Sequence, residues 1–490
     1  MQNTDGASPR LISSAGLVLL AAGVVTLILG WLAVHDPVYG SDAGYRVFFG
    51  ERPVVRLGNR MWLPFVQIHI WLYHLLGLPV AGLKLVTVAY FGLGLGCLGL
   101  YWRQVLGNNA KATLWGVAAV LCFAGQALPQ SISELMQEQA GFGLFFLFVW
   151  LASRERPMPW AAVAVGCAAM MTRDAYWFYL AAFTLVDLWS WPWGKRRLAF
   201  YGALWATPVV WMLILVPAIY FVAYGRAPEF PLEWPLMYNP TGHVPTKAET
   251  LRSIWSALTE SRVVYVAAGV CVAALLVGLA AWRAGRGAAR EGSEFARLAM
   301  RAVPLAVLVV YGLIMAIDPW QETPGNQRQA WPLLELAYVV APLLLRAAMG
   351  APGMVRVGVA VAILAGMASG IELRGKNRRE ISHAGMRAEL AKARAVVEAP
   401  QGPRRRRSVC AVARSRWDTM QDMSGLMFYH RHTHLQPEEA LPGHCEVLLV
   451  EDGAERAAGE GWERRARVNL GRRQWTVYAR PRGGSKAAGN

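Results

Sequence analysis

Charge is what this sequence has least of. Only 17% of its residues are Asp, Glu, Lys or Arg, whereas soluble globular domains carry about 25%. That deficit speaks against an ordinary solvated domain. Acids are the scarcer sign, 32 against 49 Lys and Arg. Cysteine is scarce too. Cys97, Cys122, Cys167 and Cys271 lie within apolar runs and read as packing residues. Only Cys410 and Cys445 remain outside them, an even pair that suggests a disulfide in an oxidising compartment; nothing in the sequence sets their distance. No repeat of solenoid period is present. The two matching halves seen in many secondary transporters are also missing. A cleavable signal is not evident: the first apolar run, 11–34, is too long for a signal core and reads as the first membrane helix.

What the chain does have is apolar residue in blocks. It is 55% hydrophobic, with a mean hydropathy of +0.30. A membrane core of about 30 Å needs about 20 such residues in a helix. Eleven spans are expected at 11–34, 79–102, 113–129, 139–152, 160–172, 175–193, 203–224, 263–282, 302–317, 329–348 and 355–371. With the N-terminus in the cytoplasm, the inner loops hold Arg103, Lys111, Arg154, Arg156, Lys195, Arg196, Arg197, Arg283, Arg286, Arg290, Arg297, Arg301, Arg346 and Arg356. Most acids then fall outside, among them Asp36, Asp42, Glu134, Glu138, Asp174 and Asp318. This alternation sets the orientation by the positive-inside rule. It also accounts for the net charge of +17 together with a basic tail, without nucleic acid as a partner. An odd number of spans leaves the C-terminal segment outside.

The outer face is elaborate. Residues 61–76, with Trp62, His69, Trp71 and His74, read as a helix lying on the membrane surface. A second long loop, 225–262, is rich in Pro and aromatics. The chain divides into a membrane domain at 1–375, a basic linker at 376–407 and a small α/β domain at 408–490. In the last, strands are expected at 408–413, 446–451, 467–470 and 474–480, with a helix near 420–430. His430, His432 and His434 would share a strand face; with His444 they could bind a metal, or be surface residues, since the spacing is not a zinc signature.

Four outer positions carry candidate chemistry. The first loop reads Ser41, Asp42, Ala43, Gly44, Tyr45, Arg46. Asp42 is a candidate general base or a loop acid capping its own turn, and Asp36 is its competitor. The second loop places Glu138 just before a Phe-rich helix, with Glu134 as fallback. Glu138 would help bind a divalent cation or orient an acceptor, or it is an acid favoured by the helix N-terminus. Thr172, Arg173 and Asp174 join two spans, where an ionisable residue is a functional candidate or half of an interfacial ion pair. Arg328 precedes Trp331 and Pro332 at the start of the tenth span; it is a phosphate ligand or a snorkelling arginine.

In this order the four positions resemble the GT-C glycosyltransferases, in particular the bacterial relatives of protein mannosyltransferases and of the aminoarabinose transferase of lipid A. The resemblance covers about residues 10–375 in organisation. It implies an all-α polytopic membrane fold of about eleven transmembrane helices, with a small C-terminal outer α/β domain. It implies transfer of a sugar from a polyprenyl-phosphate donor to a hydroxyl of an envelope acceptor at the outer face of a bacterial inner membrane. Asp42 would be the catalytic acid and Glu138 its assistant. Arg173, Arg328 and Tyr45 would bind substrate. Glu138 departs from the family's frequent Asp-Pro by standing before Gln139. No cofactor is implied beyond the divalent cation considered for Glu138. Two other classes stay open: a transporter or flippase of lipid-linked glycans, and a non-enzymatic membrane scaffold.

Overall fold

The structure is a computed structural model. It describes residues 13–35, 72, 76, 80–127, 137–154, 159–172, 175–190, 194–215, 217–218, 221, 246–260, 263–283, 294–317, 331–369, 388–389, 391–393, 395, 409–412, 433–435, 447–453, 461–470 and 473–480. Its helices are α1 Ser14–His35, α2 Val80–Val105, α3 Ala110–Ala127, α4 Gln137–Ser153, α5 Pro159–Met170, α6 Ala175–Ser190, α7 Lys195–Val210, α8 Lys247–Glu260, α9 Val263–Arg283, α10 Glu294–Ile317, α11 Trp331–Ala348 and α12 Gly353–Ser369. Six helices, the stretch Lys195–Leu215 among them, are long and apolar enough to cross a membrane; five shorter apolar ones accompany them. Each expected span overlaps one of these helices. The chain is a multi-pass membrane protein.

Three boundaries depart from expectation. Lys195, Arg196 and Arg197 form the first turn of α7 instead of a loop, because Arg197 is drawn to Asp187 (Nε to Oδ2, 3.3 Å) and to Glu294. Helix α10 begins at Glu294, so Arg297 and Arg301 lie on it; an acid in the first turn suits the helix dipole, and the long arginine stems can run along apolar surface. Within the loop expected at 225–262, residues 247–260 are the helix α8. Thr246 and Glu249 start it with a reciprocal capping box: the Thr246 N–H donates to Glu249 Oε2 (2.7 Å) and the Glu249 N–H donates to Thr246 Oγ1 (3.3 Å). The surface helix expected at 61–76 lies almost wholly outside the described residues.

Glycine sets the closest helix crossings. A Cβ on Gly143 of α4 would stand 2.1 Å from the Tyr90 carbonyl oxygen of α2, and one on Gly94 would stand 2.4 Å from the Phe142 ring. Gly269 of α9 and Gly366 of α12 meet in the same way, backbone against backbone. Small residues at such crossings let dispersion contacts form where no hydrophobic drive exists between helices in lipid. Proline sets the second theme. Pro342 in α11 cannot donate to the Tyr338 carbonyl one turn earlier. The Trp102 indole N–H of α2 donates to it instead (3.0 Å), and the Tyr101 hydroxyl donates to the next carbonyl, Val339 (2.7 Å). Pro208 in α7 likewise frees the Leu204 carbonyl, which accepts from the Cys167 thiol of α5 (3.2 Å).

Beyond the helices, five strands, β1 Val409–Val412, β2 Thr433–Leu435, β3 Val447–Glu451, β4 Glu463–Leu470 and β5 Arg473–Ala479, form one sheet in the order β2-β1-β3-β5-β4. The first two pairings are parallel and the last two antiparallel. Every residue of β3 is buried, as a central strand requires. Strand β4 begins at Glu463, four residues ahead of the expected 467–470. Of the three clustered histidines, only His434 lies in a described strand; His430, His432, Cys445 and the helix expected near 420–430 lie outside the described residues. Helical residues 388–389 and 391–393 lie by the sheet edge, where Glu389 Oε2 accepts the Asn469 N–H (2.9 Å).

Two outcomes are expected. Gly143→Ala forces a methyl onto a carbonyl and lowers stability by at least about 2 kcal/mol, read as a lower Tm in detergent; Gly202→Ala, whose added Cβ meets nothing within 4 Å, stays near wild type. The Glu389 carboxyl is held below its ordinary 4.5 by the Lys392 ammonium and the Asn469 N–H. A carboxyl lowered on folding stabilises fully above its unfolded pKa and ceases to as pH falls through its folded one. Exchange protection at the Asn469 amide, corrected for intrinsic rate, should therefore fall as pH drops below 4.5.

Candidate functional site

Contacts between distant segments sort the bundle into two ends. One end gathers the starts of α2, α4, α6 and α11 with the finishes of α1, α3, α5 and α12. There Lys84 reaches the Ala33 carbonyl (3.2 Å) and Gln126 reaches that of Met367 (2.7 Å). The opposite end collects Arg103, Lys111, Arg154, Lys195, Arg196, Arg197, Arg283, Arg297, Arg301, Arg346 and Arg356 on the described helices and their edges. Asp187 is buried among these and accepts the Tyr201 hydroxyl (2.7 Å) as well as Arg197.

The first end holds the buried polar groups of greatest chemical interest. Glu335, the fifth residue of α11, is fully buried. Its Oε1 accepts both the Tyr176 hydroxyl of α6 (2.8 Å) and the Trp331 indole N–H one turn earlier in α11 (2.7 Å). A carboxylate in apolar surroundings needs such donors, because desolvation otherwise penalises its charge heavily. The Tyr176 ring lies against Gly141 of α4, where a Cβ would stand 2.0 Å from a ring carbon. Beneath it runs an aromatic wall in which Phe123 and Phe142 stack at 4.3 Å, and Trp331 stands edge-on to Phe123 at 5.8 Å. The Tyr338 hydroxyl donates to Gln126 Oε1 (3.0 Å), which links α11, α3 and α12 in one chain of bonds. Lys84, the fifth residue of α2, is fully buried at this end. Gln139 is buried too, and its amide oxygen meets no donor among the described residues.

Of the residues expected at the site, Asp42, Tyr45, Arg173 and Arg328 lie outside the described residues. Glu138 is the second residue of α4, in its first turn, and its backbone alone is described. Their chain neighbours belong to the first end: Thr172 precedes Arg173, Gln139 follows Glu138, and Trp331 comes three residues after Arg328. Sequence reading passed over Lys84, Glu335, Tyr176 and Gln139. A signal existed for two of them. Lys84 is the one cation in 79–102, and Glu335 is the one acid in 329–348; an ionisable residue within a span is a functional candidate by default. Among the described residues, no three His, Cys, Asp or Glu come together as a metal site would need.

No protein-family model matches the chain, and no curated protein aligns with it. Solved structures do match. A crystal structure of ArnT from Cupriavidus metallidurans bound to undecaprenyl phosphate superposes with a TM-score of 0.54 at 15% identity, over 96% of this chain and 99% of that one. The same protein in its apo state gives 0.52 at 13% identity, over 94% and 97%. The fold is that of the GT-C glycosyltransferases. The match extends through nearly the whole length of both chains.

Gln126→Leu tests the bond chain at this end. It strands the buried Tyr338 hydroxyl and should destabilise by about 1–3 kcal/mol. Adding Tyr338→Phe should restore part of that loss in thermal melts, because the orphaned donor is then gone.

Proposed function

We propose that the chain is a glycosyltransferase of the bacterial inner membrane that moves one sugar from a polyprenyl-phosphate donor to an acceptor hydroxyl at the outer face. The observation that carries this reading is the likeness, over 96% of the chain, to a protein whose crystal structure contains undecaprenyl phosphate. In this reading the eleven apolar helices each cross the membrane. The arginine- and lysine-rich end faces the cytoplasm, in keeping with the positive-inside bias. The N-terminus is then cytoplasmic, and the C-terminal sheet, the core of a small α/β domain at 408–490 beyond the basic linker 376–407, is outside.

The chemistry follows from the residue types. Asp42 takes the proton of the acceptor hydroxyl as general base. The acceptor oxygen attacks the anomeric carbon, the bond from that carbon to the phosphate oxygen breaks, and polyprenyl phosphate leaves with the electron pair. Attack opposite the leaving group inverts the anomeric configuration. Arg328 and Arg173 hold the phosphate; a guanidinium offers paired N–H donors that fit two phosphate oxygens and stabilise charge as it develops there. Glu138 orients the acceptor, and Tyr45 lines the donor sugar. Lys84 adds a buried amine at the same end of the bundle, where it donates to the Ala33 carbonyl.

The test is turnover by purified protein in liposomes, offered a panel of polyprenyl-phosphate sugars and assayed for free polyprenyl phosphate. Wild type should release it, and Asp42→Asn should release about 100-fold less or lower still, at unchanged Tm. Equal release by both proteins would remove Asp42 from the base role. No release by folded wild type over a broad panel would sink the enzyme reading.

A further inference from the structure

We infer that the arginine face of the β4–β5 hairpin docks onto the anionic phospholipid headgroups of the bilayer that holds the helices. This goes beyond the sugar-transfer reading and stands whether or not that reading holds. Between residues 463 and 480 the sequence has six arginines, no lysine and one acid, Glu463. The pairing of the two strands sorts three of these arginines onto one face. Arg464 stands opposite Tyr478, and Arg467 opposite Thr476. One step beyond the Glu463–Ala479 pair, the Arg480 guanidinium lies over the Trp462 ring (5.1 Å). Side chains alternate between the faces of a strand, so these three pairs share a face and each holds an arginine. The register shift between Arg464 and Ala466 inserts one extra residue, which is what brings Arg464 and Arg467 to the same side. The opposite face carries Val468, Trp475, Val477 and Ala479, all buried.

Arg464, Arg467 and Arg480 are exposed, with Trp462 and Tyr478 half-buried beside them. Arg467 pairs with Asp452, and Arg465 pairs with Glu463. Among the described residues, no acid pairs with Arg464 or Arg480. The face therefore has a surplus of one sign, and an anionic partner complements it. Arginine suits phosphate in particular, since its paired N–H donors fit two phosphate oxygens and it sheds water more readily than an ammonium. Charge on an edge strand also deters edge-to-edge pairing. Yet these arginines lie on β5 as well as on β4, and at the edge itself the Asn469 N–H is already taken by Glu389 Oε2 (2.9 Å). The tether selects a bilayer over a soluble polyanion. Helix α12 ends at Ser369, and Glu389 follows within about 20 residues, a reach of at most about 70 Å. Headgroups thus stand at high effective concentration around the sheet. Trp462 and Tyr478 are the residue types that rest at a lipid–water boundary.

The experiment uses the full chain in nanodiscs, with a donor dye at the C-terminus and acceptor dyes on the lipid headgroups, so that energy transfer reads how near the sheet lies to the bilayer. One set of discs is phosphatidylcholine alone; in the other, roughly one lipid in three is phosphatidylglycerol. Transfer should be higher in the anionic discs and should fall as salt rises from about 0.1 to about 1 M, which shortens the reach of charge from about 10 to about 3 Å. Arg464→Gln should lower the ratio of docked to undocked protein about fivefold, and Arg464→Gln with Arg480→Gln about 25-fold, at unchanged Tm. The matching lysine variants keep the charge and should stay near wild type. Equal transfer in the two kinds of disc, or Gln variants that fold and still dock as wild type does, would overturn the inference. So would Gln variants that aggregate without a change in transfer, since the arginines would then only guard an edge. Binding of soluble polyphosphate by wild type, with no difference between the discs, would assign the face to a soluble polyanion instead.

Discussion

A polar group inside a membrane has no water to fall back on, and the architecture of this chain follows from how that demand is met. Pro342 and Pro208 each open a carbonyl in a membrane helix, and each opening is filled from a neighbouring helix, by Trp102 in one case and Cys167 in the other. These bonds also decide which helices are neighbours. Helix α2 meets α11 through Tyr101 and Trp102, and it meets α4 through Gly94 and Gly143. It is thus held on two sides by contacts that tolerate little change, one made of directed hydrogen bonds and one of bare backbone.

That rigid frame holds two ionisable side chains at one end of it. Lys84 and Glu335 both sit in the second turns of their helices, fully buried. Neither lies at mid-membrane, where a transport pathway would be expected to place its ionisable groups. Phe123, Phe142 and Trp331 pack ring against ring at this end of the bundle.

The membrane helices were legible in the sequence because lipid thickness imposes a length that few other folds require. Their ends were less so. Arg297 and Arg301 read as loop residues before a span at 302–317, and the Glu294 start places both on the helix. Helix α8 had a readable signal in Thr246 and Glu249, but the surrounding Pro and aromatic residues outweighed it as a loop pattern. Strand β2, three residues long, pairs with β1 and carries too little alternation to be read alone. At the site, the sequence pointed to acids and arginines in the outer loops. It could not point to Tyr176 sharing an oxygen with Trp331, because a tyrosine or a single acid in an apolar run looks the same whether it faces lipid, core or ligand. Such a contact exists only once two distant helices have been packed.

The bonds that Tyr101 and Trp102 make to α11 carry a consequence for biosynthesis. Their partners lie 238 and 236 residues later in the chain. At synthesis rates of about 5–20 residues per second, α2 waits on the order of 10–50 s before α11 emerges. During that wait a hydroxyl and an indole N–H are exposed to whatever surrounds a half-made bundle. Both residues directly precede Arg103, at the end of α2, where tyrosine and tryptophan rest comfortably at the lipid–water boundary and water can serve their donors. The nascent helix can therefore be stable in the membrane before its lasting partner has been made.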